Sequence, residues 1–283
     1  MSRLAATPRL EAEALAGGLD GVLLDARRLA ASAPGFHGRR RAGQGEAFWQ
    51  YREHRPEDGA RAVDWRRSGR GERLYVREQE REAAQTAWFW VAQGPGMEWR
   101  SEGRWPTKLH RAMSLCLALA ILALRGGERV GAIGAPASHR SAIALEELAL
   151  ELAQAPGEPV RRGSGGVVIL VSDFFEPLDL WERRLRGLQP GPQGGLLLMV
   201  HDPAEEDFPF EGRMLLQEPG SRRETLLGKA EAAKARYLGR LREHRAGLEA
   251  LARRFGLFLL PHRTDQAAGP ALAAALARLA PAV

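Results

Sequence analysis

Two apolar runs in this chain end in acidic residues, where a sheet edge would display them. Val167–Val171 leads into Ser172-Asp173-Phe174, and Leu196–Val200 into His201-Asp202. A carboxylate or a His-Asp pair at the end of a buried strand can do acid–base chemistry or hold a ligand. Each also has a plainer use. Asp173, ahead of Glu176-Pro177, would cap a turn or the next helix, and His201-Asp202 would turn the chain into Pro203. A third candidate is the loop Arg39-Arg40-Arg41 with Gly43 and Gly45, because arginine forks match phosphate or carboxylate and glycines admit backbone N–H groups. Glu46, Glu53, Glu57, Asp58, Asp64 and Arg66 stand in the same segment. A lattice of ion pairs pinning this region to the rest is therefore the expected arrangement, with Trp49, Tyr51 and Trp65 as its apolar side.

Catalytic constellations are not visible. There is no Gly-x-Ser-x-Gly elbow, no Gly-x-x-x-x-Gly-Lys-Ser/Thr loop and no His-Glu-x-x-His. The seven histidines are dispersed, and Cys116 is the single cysteine, so neither a disulfide framework nor a cysteine metal site is available. The expectation is a non-enzyme with no catalytic residues, no metal and no cofactor.

The elements that would position these residues follow from periodicity. Thr7-Pro8 reads as a helix start, and Leu10 to Leu29 keep a helical period up to Pro34-Gly35. Extended pieces at Ala60–Trp65 and Arg73–Arg77, separated by Ser68-Gly69-Arg70-Gly71, read as a β-ribbon. From about residue 84 strands and helices alternate: strand Thr86–Ala92, helix Thr107–Leu124, strand Arg129–Ile133, helix Ala142–Gln154 and strand Val167–Val171. Helix Leu178–Leu188, strand Leu196–Val200, a hairpin of Met214–Gln217 with Glu224–Leu227, helix Lys229–Phe255, strand Leu257–Leu260 and helix Gly269–Leu279 complete the pattern. Such alternation predicts an α/β fold with a mostly parallel sheet covered by helices on both faces. Two units are expected: an N-terminal helical and β-ribbon extension over 1–83 and an α/β domain over 84–283.

The first third also carries a resemblance. Arg41, Gly43, Gly45, Tyr51, Arg52, Asp58, Asp64, Trp65, Arg66 and Glu78, in that order and spacing, resemble the signature of the DUF58 family; Asp64-Trp65-Arg66 is its most specific piece. The resemblance continues through Lys108 and Gly127-Glu128-Arg129-Val130-Gly131. It implies a von Willebrand A-like, Rossmann-type domain. In that domain an Asp-x-Ser-x-Ser loop after the first strand, an Asp after the fourth and a Thr between them hold Mg²⁺ or Mn²⁺ through oxygen. Aligned to that motif, Gln93, Pro95 and Met97 replace the Asp and both Ser, while Asp173 survives and Ser138 or Ser141 offers a hydroxyl. Proline has no donor atom and Met sulfur is too soft for Mg²⁺, so the resemblance implies a degenerate metal crevice of Gln93, Pro95, Met97, Ser138, Ser141 and Asp173.

The formal charge of +6 comes mainly from arginines spread along the chain. In helix Lys229–Phe255, Glu231, Glu243 and Glu249 stand among the cations at pairing distance, as on a solvated face, and aromatics do not interleave. The longest apolar run, Ala112–Leu124, is shorter than the ~20 residues a bilayer needs. Glu11, Glu13 and Asp20 interrupt any signal-like stretch. A cytoplasmic protein with no membrane span is expected, its oligomeric state open. The resemblance implies a protein-interaction module, an adaptor or co-chaperone working with a MoxR-type AAA+ ATPase in maturing another complex. Two alternatives are a basic nucleic-acid-binding protein and a hydrolase using the sheet-edge acids Asp173 and Asp202.

Overall fold

A computed structural model describes residues 21–31, 41–42, 48–55, 58–59, 63–69, 71, 73–81, 85–136, 138–141, 144–154, 157–160, 165–190, 194–217, 220 and 223–279. Of the side chains at 41–50, 52 and 77–81 nothing is described. The helix start at Thr7-Pro8, the loop residues Arg39 and Arg40, and Gly43 and Gly45 lie outside these residues.

The centre is a five-stranded sheet in which every pairing is parallel. Its strands are β4 (Thr86–Val91), β5 (Arg129–Ala132), β6 (Val167–Ser172), β7 (Gly195–His201) and β10 (Leu257–Arg263), in the order β10-β7-β6-β4-β5. β6 and β7 are buried along their whole length, as strands covered on both faces must be. One face carries α4 (Lys108–Arg125), α5 (Leu145–Ala153), α9 (Ala268–Leu279) and the helix α1 over residues 21–31. The other carries α6 (Leu178–Leu188) and α8 (Ala230–Arg254), packed around Trp90, Trp181 and Phe174. The Trp181 ring stacks tilted on Phe174 at 4.6 Å and edge-on to Trp90 at 6.1 Å.

α4 is apolar almost all round because it is enclosed between the sheet, α1, α5 and α9. Val22, Leu23, Ala26 and Ala30 of α1 belong to the same core, and Arg125 donates to the Ala30 carbonyl at 2.9 Å. α1 therefore shares a core with the α/β layers.

The ribbon differs from its predicted form. β3 (Tyr75–Arg81) pairs antiparallel with β2 (Phe48–Glu53) and with β1 (Arg41–Ala42). Of the stretch expected as its partner, residues 60–62 lie outside the described residues; Val63 makes a bridge to Val76 and a short helix α2 (Trp65–Ser68) follows. Asp64 is the reason: its carboxylate caps α2 by accepting from Arg67 N at 3.0 Å, which turns the chain out of the extended state. Trp65 accordingly points outward and is 63% exposed, so it does not form the apolar side of a docked surface. The hairpin β8 (Met214–Gln217) with β9 (Glu224–Leu227) and the span of α6 match their sequence readings.

Candidate functional site

β4 and β6 are neighbours, but their chains leave toward opposite edges of the sheet, β4 to β5 and β6 to β7. The crevice beyond their carboxyl ends is where a doubly wound sheet can hold a ligand. Two loops meet there. After β4, Gly94 adopts φ 132°, a left-handed conformation suited to glycine, and opens the short helix α3 (Pro95–Glu98). Gln93 turns aside: its amide donates to the Leu152 carbonyl at 3.1 Å, satisfying a last-turn carbonyl of α5, and to Val91 O at 3.3 Å. Met97 is buried in the core and Pro95 is exposed.

After β6, Phe174 holds φ 54°, an uncommon region for a bulky residue. Its N–H donates to Ser172 Oγ at 3.1 Å, and His244 Nε2 donates to its carbonyl at 2.7 Å. This turn sends the Phe174 ring down against Trp181, leaves Asp173 facing the crevice and puts Phe175 outside, 38% exposed. Asp173 Oδ2 lies 3.6 Å from where a side chain on Gly96 would start, so the two loops are in contact.

A cation already occupies this meeting point. The Lys108 ammonium, 2% exposed, donates to Asp173 Oδ2 at 2.9 Å and to Glu205 Oε1 at 2.5 Å. The Phe175 ring covers it at 5.4 Å. Lys108 stands in the first turn of α4, where Thr107 is the N-cap and the helix dipole is positive. Burial and dipole both oppose a charge there. Burial is the largest single influence on Lys108 and lowers its pKa, but the carboxylates of Glu205 and Asp173 together outweigh it and hold the pKa above its ordinary value. Burial pushes the Glu205 carboxyl up, with Lys108 pulling against it. Glu205 is fixed by the capping box of α7 (Pro203–Asp207), where its second oxygen accepts from Asp202 N at 2.9 Å.

Asp202 is fully buried and committed, accepting from Ala204 N and from Ser101 N, each at 2.9 Å. His201 donates from Nδ1 to Glu206 at 3.1 Å, and Arg245 also donates to Glu206. The His201 bond, with Arg245, keeps the Glu206 carboxyl down at about 2, while burial keeps His201 below its usual pKa. The two acids considered for hydrolysis thus bind an ammonium and cap a helix. Among the described residues no group of three or more His, Cys, Asp or Glu could hold a metal ion.

Of the residues the sequence placed at the crevice, the loop carrying Gln93, Pro95 and Met97 meets Asp173 through Gly96, but the Gln93 amide faces the end of α5 and Met97 is buried in the core. Ser138 lies elsewhere. Its Oγ accepts from Arg129 Nε at 2.8 Å, and Arg129 pairs with Thr86, the first residue of β4. The crevice lies beyond the last, roughly 17 Å along the strand. Ser141 follows Ser138 on that side, in the turn into α5.

In the signature segment, Tyr51 Oη donates to Asp64 Oδ2 at 3.3 Å and the Arg67 guanidinium sits 4.9 Å from the Tyr51 ring centre. Asp58 accepts from Arg55 N at 2.7 Å and Arg66 is exposed. For Arg41 and Arg52 only the backbone, in β1 and β2, is described.

A family model described as "Protein of unknown function DUF58" matches residues 50–146 and 133–247, more than half of the chain. The chain belongs to the DUF58 family. The match runs past the span of the sequence resemblance and takes in β7, α7 and most of α8, so Lys108, Asp173 and Glu205 all fall inside it. No curated protein and no solved structure matches the chain. Sequence reasoning missed the roles of Lys108 and Glu205. A lysine in the first turn of a mostly apolar helix, against the dipole, was the available signal for the first, and Asp202-Pro203-Ala204-Glu205 is a legible capping box for the second.

Proposed function

We propose that this DUF58 protein is a non-catalytic interaction module that docks a protein partner on the carboxyl edge of its sheet. Supporting this is the apolar rim around a crevice whose acids are already neutralised. Trp99 (37%), at the end of α3, and Phe175 (38%), over Lys108, are exposed on the loops that meet there, as is Pro95. Gly220, between β8 and β9, reaches the same place, since a side chain on it would start 3.0 Å from Pro95 Cγ. That hairpin exposes Leu215 and Leu226, which are paired across it. Clusters of exposed large apolar residues mark interaction surfaces. An ammonium in the cation's place supports a surface that needs no ion for its shape. Met97 and Phe174, by contrast, are buried and shape the loops from below.

The partner that the family resemblance suggests is a MoxR-type AAA+ ATPase, with this chain as adaptor or co-chaperone. The test is affinity purification of wild type and of Trp99→Asp with Phe175→Asp from native lysate, with recovered proteins identified. The reading requires that the ATPase co-purify with wild type, that the variant lose it, and that added salt change little, because the contact is apolar. Equal recovery by both chains, or no ATPase with either, would overturn it.

A further inference from the structure

A cavity of about 660 Å³ opens at the amino end of α4, bounded by α1, the loop over 100–107 and the start of α9. Its size is that of a small-molecule site, and its wall is rich in arginine, with Arg28, Arg100, Arg104 and Arg111 beside His110. Asp25 is the carboxylate among the lining residues, and it is in use, accepting from His110 Nε2 at 3.0 Å with Arg28 3.9 Å away. Arg104 is paired with Glu102 at 2.8 Å. Arg100 and Arg111 have no carboxylate within ion-pair distance among the described residues. Arg100 donates to the Trp105 carbonyl at 3.4 Å and Arg111 to the Thr264 carbonyl at 3.0 Å, which leaves most of their N–H groups unused. Burial pushes the Arg111 guanidinium below its ordinary pKa, although Asp25 and Asp265 pull the other way, so its charge is only partly compensated.

A second, independent observation points the same way. Ser114, one turn below His110 and Arg111 on α4, lines this cavity, is 3% exposed, and its hydroxyl has no hydrogen-bond partner. The buried indole N–H of Trp105, also in the wall, has none either. Buried polar groups are ordinarily satisfied, so an unpaired hydroxyl and an unpaired indole N–H in one cavity call for an acceptor.

We propose that this cavity binds a small phosphorylated compound, with its phosphate between Arg100 and Arg111 and its remainder against Leu29, Trp105 and Ala268. The available groups, two guanidiniums, an indole N–H and a hydroxyl able to donate, suit a ligand that only accepts. A phosphate dianion presents three terminal oxygens to arginine forks, where a carboxylate presents two. The positive end of α4, at Thr107 in the wall, favours the same charge. This site uses neither Asp173 nor the apolar rim and stands independently of the docking surface.

Calorimetry on the full chain at low salt, with inorganic phosphate, adenosine 5′-monophosphate, adenosine and succinate, tests it. Phosphate and the monophosphate should bind saturably and compete, the monophosphate more tightly, while adenosine and succinate should not bind. Arg100→Ala and Arg111→Lys should each weaken the monophosphate by about tenfold or more, as loss of a charged hydrogen bond does. Arg100 is exposed, so its variant should melt as wild type does without ligand and separates binding from folding. No saturable binding of either phosphate up to millimolar concentration would overturn the proposal. So would binding unchanged in both variants, or succinate binding as tightly as phosphate.

Discussion

Replacing Lys108 by Met keeps the stem and removes the ammonium, leaving Asp173 and Glu205 facing each other without a counter-ion. At an effective dielectric of about 20, ion pairs at 2.9 and 2.5 Å are each worth roughly 6 kcal/mol before desolvation. Desolvation of the three groups consumes most of that. Breaking such a buried arrangement from one side usually leaves a penalty of about 3–5 kcal/mol. The Asp173 and Glu205 side chains keep 18% and 15% exposure, so water can reach them, and the expected loss is at the lower end, about 3 kcal/mol. Urea unfolding at pH 7.5 measures it. Two further results follow from the same physics. The triple substitution Lys108→Met, Asp173→Asn, Glu205→Gln removes every charge and should recover much of the loss. In the single variant Glu205, already raised by burial, loses the ammonium that pulls it down, so its folded-state pKa rises further. It therefore favours the fold below its unfolded value near 4 and disfavours it as pH rises through the folded one, so the deficit should shrink as pH falls toward 5. A Lys108→Met protein within 0.5 kcal/mol of wild type, or a triple variant no better than the single (about the scatter of ordinary surface substitutions), would refute the account of Lys108 as the crevice cation.

Calorimetry with Mg²⁺ or Mn²⁺ at millimolar concentration should show no heat above dilution, because Asp173 already accepts from Lys108; a micromolar Kd abolished by Asp173→Ala would contradict this. Burial, aided by Arg111, lowers His262 to about 4 from 6.5, so this group favours the fold above pH 6.5 and that contribution is lost as pH falls toward 4, up to about 3 kcal/mol. Urea melts across that range should show His262→Gln with a flatter slope than wild type. Trp65→Ala should cost less than about 1 kcal/mol, since the ring is mostly exposed, whereas Phe174→Ala, fully buried against Trp181, should cost about 3–5 kcal/mol; equal losses in urea melts would mean the two environments are misassigned.

By itself the sequence determined the layered plan. The apolar runs that became β6 and β7 are too short for helices and too continuous for a half-exposed sheet, and the stripe Trp181, Leu185 and Leu188 announced α6 with its bounds. These are local periodicities, set by the geometry of a single element. It also placed Asp173 at the sheet edge, because a carboxylate directly after a buried strand has little other place to go. Only the tertiary structure decided what Asp173 does there. Its cation comes from 65 residues earlier and shares its charge with a glutamate 97 residues beyond itself, and no local pattern encodes contacts at such separations. The same limit explains Ser138, which the sequence offered to the crevice and pairing with Arg129 carried to the far end of the strand. It explains Trp65 as well: a tryptophan reads as core, but Asp64 caps the turn of helix that begins at Trp65, and the ring faces water. Local chemistry chose the elements, and long-range packing chose the partners of every charged group in the crevice.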